Sequence, residues 1–503
     1  MIQNGTAFEF VSAEKPKAGA GVLLVPLVAK PQPALELVSH VDAICEQAVS
    51  ELIAVGGLRP ESGTLAHTSR PGAYRRILVV SLGESEKLDG HRVRSAAAAA
   101  GRWMMSEKIG SAALWLDGLV ASGLDTAPAD WAQGMILGGF RFNAHRRDAD
   151  APPARMRVAV CSRDNAHMMR LRPQLREAVT IAESVNFARR LAHEPPNVMY
   201  PEALADAARE LAREMKLKCA VFDETQLRKQ KMNGLLAVGM GASRKPRLIQ
   251  LEYRGAPQAR ARYALVGKAV TFDTGGYSIK PADRMEEMKF DKCGGMAVFG
   301  VLRAVAALKL KVNVVGLIAA AENAISDSAY RPADIIHMMS GKSVEVVNTD
   351  AEGRMILADA LWYAQQQFDP TVLIDLATLT GGVRVALGTA CAGLMTNDDT
   401  LAGHLAECGR VTHERLWRLP LWDDYRELIK STEADIKNSA GKRDAHPIVG
   451  GMFLKEFVVD GQAWAHLDIA AVATRDDNQH ATGRGATGFG IRLLVEYLKR
   501  RAS

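Results

Sequence analysis

Short apolar runs rich in β-branched residues recur along the first part of the chain: GVLLVPLVA (21–29), RRILVVSLG (75–83), AALWLDG (112–118) and MRVAVCS (156–162). They are bounded by polar turns and are too short for helices, so they predict buried strands. The alanine-rich SAAAAAGRWM (95–104) predicts a packed helix between two of them. Beyond Pro201 the alternation continues with longer elements. Strands are expected at LIQLEY (248–253), YALVG (263–267), NVVGLIAA (313–320), TVLIDLA (371–377) and WAHLDIA (464–470), with helical stretches at 294–308 and 355–367. Strand, loop and helix in alternation predict an α/β fold whose central mixed, mostly parallel sheet is covered by helices.

With 503 residues, the chain exceeds the ~250–300 residues at which single cores stop growing. Two domains are therefore expected: a smaller N-terminal α/β domain over 1–170, a connecting helix over 171–195, and a larger C-terminal domain over 196–503. The polar stretch FRFNAHRRDADAPPAR (140–155) has the composition of a linker, but a strand follows it directly. In sheets of this kind ligands bind beyond the carboxyl ends of the strands. Lys268 and Asp273 follow YALVG there, and Thr378 to Gly382 follow TVLIDLA.

Two blocks concentrate charge in otherwise apolar or glycine-rich sequence: VGKAVTFDTGGYSIKP (266–281) and NTDAEGRM (348–355), bridged by MKFDK (288–292). If Asp350 to Arg354 is extended, the side chains of Asp350, Glu352 and Arg354 project to one side with period two. Gly353 then lets the backbone turn into a helix beginning near Met355. Taken alone, the block also fits a loop ion pair between Arg354 and one of the carboxylates. Lys268, Asp273, Lys280 and Asp291 alter that balance, because buried charges are costly unless paired or bound to metal. Asp273, Asp291, Asp350 and Glu352 brought together would repel one another, and two divalent ions would compensate them. A buried lysine such as Lys268 can become a neutral ligand when its pKa is lowered.

Composition narrows the partners. Net charge is +6 and spread evenly, about +3 in residues 1–180 and about +3 in the rest. A clustered basic face, the usual mark of nucleic-acid binding, is missing from the pattern. The six cysteines are scattered without CxxC spacing, as expected for reduced thiols in a cytoplasmic protein. The N-terminal MIQNGTAFEF lacks the basic start and apolar run of a secretory signal, and no apolar stretch approaches the ~18 residues of a membrane span.

The two blocks, with AHEPPNVMYP, PRLIQLEY, AAENAISDSAYRPADIIHMMSGKSVEVVNTDAEGR, LATLTGG and WAHLDIA, resemble the leucyl (cytosol) aminopeptidase family, bacterial aminopeptidase A type, over roughly 188–495. The first third resembles only the general α/β pattern of that family's variable, macro-domain-like N-terminal domain. The resemblance implies that Lys268, Asp273, Asp291, Asp350 and Glu352 ligate two divalent metals, Mn²⁺ or Zn²⁺ or Mg²⁺, with Asp273 and Glu352 shared. It implies Lys280 as the cation stabilising the oxyanion. It assigns to Arg354 a bicarbonate ion acting as general base towards a metal-bridging water. The side-chain pocket would comprise Met288, Thr378, Leu379, Gly381, Ala470 and Ala473. The implied activity is removal of N-terminal residues from short peptides by a cytoplasmic homohexamer with its sites facing an internal cavity.

The chain departs from the family pattern at Ala269, Met355 and the SAGKRDAHPIVGGMF stretch (439–453), which puts the entrance shape in question. The small Ala473 suggests a deep pocket and a preference for Leu, Met or Phe. Since some relatives also bind DNA, an architectural or regulatory DNA-binding protein and an inactive scaffold stand as alternatives. Without HExxH, His337, His446 and His466 are read as structural, GMGAS (239–243) as a glycine turn between strands, and Cys293 as a packed thiol.

Overall fold

The computed structural model describes residues 7–12, 21–31, 33–69, 74–147, 155–442, 444–478 and 480–502. Residues 148–154 of the linker-like stretch and residues 1–6 of the N-terminal segment fall outside them. The chain divides into two units, Met1–Asn186 with Asp476–Arg484, and Phe187–Arg475 with Gly485–Ser503. The division falls within the long helix Asn165–His193.

In the first unit a six-stranded sheet runs in the order Ala7–Ser12, Arg155–Cys161, Ser111–Trp115, Val22–Lys30, Arg76–Glu84, Leu65–Ser69. All neighbours are parallel except the last pair. The four apolar runs of this unit are its four inner strands. The edge strand LAHTS carries no apolar run, and its outward positions are exposed, so hydrophobic pattern gave no sign of it. The alanine run lies in the helix Gly90–Ser106, started by Asp89, whose side chain accepts the Arg92 N–H at 2.8 Å.

The second unit contains an eight-stranded sheet: Leu416–Arg418, Ala392–Thr396, Trp464–Asp468, Val372–Ala377, Tyr263–Asp273, Asn313–Asn323, Arg247–Arg254, Lys218–Phe222. The four strands from Trp464–Asp468 to Asn313–Asn323 are mutually parallel, and the flanking strands add antiparallel pairs. Helices Cys293–Ala307 and Glu352–Phe368 both pack on these inner strands. Tyr263–Asp273 is accordingly buried at nearly every position.

Three expectations change here. The strand expected to end at Gly267 continues to Asp273, because Asn313–Asn323 pairs along its length, with Ala319 opposite Lys268 and Asn323 opposite Asp273. Lys268 is therefore inside the strand and not beyond it. The helix expected from Met355 begins at Glu352, so Glu352 and Arg354 are helical and not part of an extended run. GMGAS follows the helix Asn233–Gly239 and leads to Arg247–Arg254, a helix-to-strand turn. None of the six cysteines forms a disulfide, and no helix among the described residues is long and apolar enough to cross a membrane.

Candidate active site

Beyond the carboxyl ends of the inner strands lies a cavity of about 1230 Å³. Its lining includes Lys268, Asp273, Lys280, Asp291, Asp350 and Glu352, together with Met288, Thr378, Leu379, Gly381, Ala470 and Ala473. Arg354 is buried behind this wall and donates from Nη1 to the Asn438 carbonyl at 2.8 Å.

The charged groups come from several elements. Lys268 projects from mid-strand and Asp273 ends the same strand. Asp291 follows the 3₁₀ turn Met285–Phe290, and Glu352 opens its helix. Carboxylate oxygens of Asp273, Asp350 and Glu352 all lie within 4.8 Å of one another. Lys268 Nζ joins Asp291 to Glu352 at 2.9 and 2.8 Å and donates to the Thr378 carbonyl at 2.9 Å. Lys280 Nζ lies 2.8 Å from Asp273 and also contacts Asp350. A side chain at position 353 would displace Lys268, because its Cβ would lie 2.7 Å from Cδ, Cε and Nζ of that residue.

The electrostatics record crowding. Burial, reinforced by Glu352 and Asp273 and eased by Lys280, pushes Asp350 up to about 7. Burial also raises Asp291 to about 8, against the pull of Lys268. Both lysines resist the desolvation that would lower them, because the surrounding carboxylates hold their pKa values above the ordinary range. Four carboxylates face two ammonium groups, a deficit of positive charge. Buried Asp291 Oδ2 and Arg354 Nε have no hydrogen-bond partner among the described residues. An unsatisfied carboxylate oxygen in an acidic cluster of oxygen donors suits a divalent cation, and an unsatisfied guanidinium N–H suits an anion.

Several supporting residues were not singled out in the sequence. Thr349, fully buried, ties the two loops together. Asn323 donates to Asp273 Oδ1 at 2.7 Å and to the Thr349 carbonyl at 3.1 Å. Asn438 accepts from Val347 N–H and donates to the Asn348 carbonyl. Asp468 accepts from Leu379 N–H and the Thr380 hydroxyl, holding the pocket loop. A polar residue ending an apolar strand, as at Asn323 and Asp468, is the signal that would have found two of them.

Among the histidines, His466 is fully buried and pairs with Asp375 at 2.5 Å, while His337 is exposed. His446 lies in the cavity wall: Ala445, at φ 48°, turns the chain so that the helix His446–Lys455 starts there. Burial pushes the Cys293 thiol up to about 12, which suits a packed, unreactive sulfur.

Residues 186–495 match the model of the cytosol aminopeptidase family, catalytic domain, and residues 24–149 match that family's N-terminal domain. The second match extends the likeness into the first third, where the sequence motifs had shown only a general pattern. A probable cytosol aminopeptidase of Geobacter sulfurreducens is 43% identical over 469 residues, covering 92% of this chain and 93% of that protein. A tomato leucine aminopeptidase variant superposes with a TM-score of 0.86 at 30% identity, covering 99% of this chain and 97% of its own. The bottromycin maturation enzyme BotP in complex with Mn gives a TM-score of 0.83 at 31% identity, covering 96% and 100%.

Proposed function

Because the chain belongs to the cytosol aminopeptidase family and is a metal-dependent aminopeptidase of that type, we propose that Lys268, Asp273, Asp291, Asp350 and Glu352 hold two divalent ions. The observation that carries this reading is the convergence of the Asp273, Asp350 and Glu352 oxygens within 4.8 Å at one end of the cavity. A set of carboxylate oxygens with one amine suits Mn²⁺, Zn²⁺ or Mg²⁺. When bound, such ions acidify water and receive a free α-amine, which confines cleavage to the first peptide bond.

The protein's own groups do the rest. Lys280, kept protonated by Asp273 and Asp350, presents N–H donors and positive charge to the carbonyl oxygen as it becomes an oxyanion. Arg354, with its unpartnered Nε, would hold a bicarbonate ion, which would supply a general base beside the ions. Thr378, Leu379 and Gly381, on the loop that Asp468 holds at Leu379 and Thr380, line the side-chain pocket together with Met288, Ala470 and Ala473. Small Ala473 leaves depth for Leu, Met or Phe, and a specificity profile peaking at Ala or Gly contradicts this. Short peptides, a cytoplasmic location and a homohexamer complete the proposal.

The test is hydrolysis of Leu-p-nitroanilide before and after chelation, with Mn²⁺ or Zn²⁺ restored and Glu352→Ala as control. Activity that is lost with chelator, returns with metal and is absent from the variant supports the reading. A metal-replete but inactive protein replaces it with the scaffold or DNA-binding alternative.

A further inference from the structure

The outer part of the cavity carries charge that the ion site does not use. Arg384, on the short helix Gly381–Leu387, lines it together with Lys442 and His446. Lys442 and His446 come from the 439–453 stretch that departs from the family pattern; Arg443 lies outside the described residues. Gly382 allows the two elements to meet, since a Cβ there would lie 2.9 Å from both His446 Cβ and Pro447 Cδ. Glu287, the acidic lining residue outside the ion cluster, is paired with Arg284 at 2.8 Å. Lys442 approaches Asp444 at 3.7 Å with both side chains exposed, a contact of little strength in water.

The cavity is therefore acidic at its inner end and basic at its outer one. Its volume, about 1230 Å³, exceeds the ~300–1,000 Å³ usual for small-ligand pockets, so it has room for peptide beyond the first residue. Arg384 and Lys442 line the same cavity as the carboxylates that would face the α-amine, so they are placed to meet the remaining length of a bound peptide. A guanidinium fork matches a carboxylate in two hydrogen bonds, and an ammonium adds a point charge beside it.

We propose that Arg384 and Lys442 are specificity residues that select peptides carrying a carboxylate on the leaving portion, foremost the free C-terminus of di- and tripeptides. The inference rests on the aminopeptidase reading of the same cavity. Neither residue touches the reacting atoms; they act through binding of the leaving portion.

The experiment compares kcat/KM for Leu-Gly and Leu-Gly amide, with Leu-p-nitroanilide alongside, at low and high NaCl. For wild type the acid-to-amide ratio is expected to be roughly 5–20 at low salt, the strength of two partly exposed charge contacts, and to fall towards 1 at high salt. In the double variant Arg384→Ala, Lys442→Ala the ratio approaches 1 at both salts, and with both positions changed to Glu it drops below 1. A wild-type ratio near 1, or one indifferent to salt and to the substitutions, overturns the proposal. If the double variant does not fold, the salt dependence of the wild-type ratio decides. Failure of metal-loaded wild type to cleave Leu-p-nitroanilide would instead remove the aminopeptidase reading itself.

Discussion

Ser278 and Thr349, 71 residues apart in the chain, exchange a reciprocal pair of hydrogen bonds: Ser278 N–H donates to Thr349 Oγ1 at 2.8 Å, and Thr349 N–H donates to Ser278 Oγ at 3.1 Å. The Thr349 hydroxyl then donates to the Gly275 carbonyl at 2.6 Å. Tyr330, itself fully buried, closes the joint by donating to the Thr349 carbonyl at 2.7 Å. Lys280 follows one side of this joint and Asp350 the other, so their contact is set by backbone geometry and not by their own attraction alone.

Thr349→Val keeps the shape but removes the hydroxyl, leaving Ser278 N–H and the Gly275 carbonyl without their partner. Stability is expected to fall by ~1–3 kcal/mol, and kcat/KM by up to ~100-fold as the two loops lose their ~1 Å registration. Urea unfolding and Leu-p-nitroanilide kinetics on one preparation check both.

Gly353→Ala drives a methyl group into the Lys268 side chain and displaces the amine from Asp291 and Glu352. Metal bound per chain, measured by elemental analysis after dialysis, is expected to fall below that of wild type while the circular dichroism spectrum is retained.

Lys280→Ala removes a charge that the proposal assigns to the transition state. A fall in kcat of roughly 10²–10³-fold is expected with KM changed much less. A rise in KM at constant kcat would assign Lys280 to substrate binding instead.

Asp359 provides a pH signature of folding. Burial raises its carboxyl from 3.8 to about 7, against the N–H donors of Met339, Leu235 and Gly234 that favour the anion. Between those values the folded chain holds a proton that the unfolded chain has released, so this group's contribution to stability declines as pH rises from about 4 to 7 and is level above. Asp359→Asn destabilises by leaving an amide opposite an N–H, but it lacks the slope. The deficit of the variant relative to wild type therefore shrinks as pH rises from 5 to 8, as read from urea midpoints.

Alternation of apolar runs with polar turns was enough to mark all five strands expected in the larger sheet and all four inner strands of the smaller one, because a strand buried on both faces must be apolar along its length. The charged residues of the two blocks were legible for the complementary reason: ionic groups in apolar or glycine-rich sequence demand compensation, which points to a site. Which backbone carried them was not legible. Pairing with Asn313–Asn323 extended the strand past Lys268, and the helix beginning at Glu352 replaced the extended run imagined for Asp350 to Arg354. Local pattern cannot report hydrogen bonds between segments 50 to 100 residues apart, and Asn323, Thr349, Asn438 and Asp468 each make such bonds. The same holds for Arg384 and Lys442, which share a cavity wall only because the chain brings Gly382 against His446. Residue type and spacing thus announced the chemistry, while long-range packing decided which groups meet and at what distance.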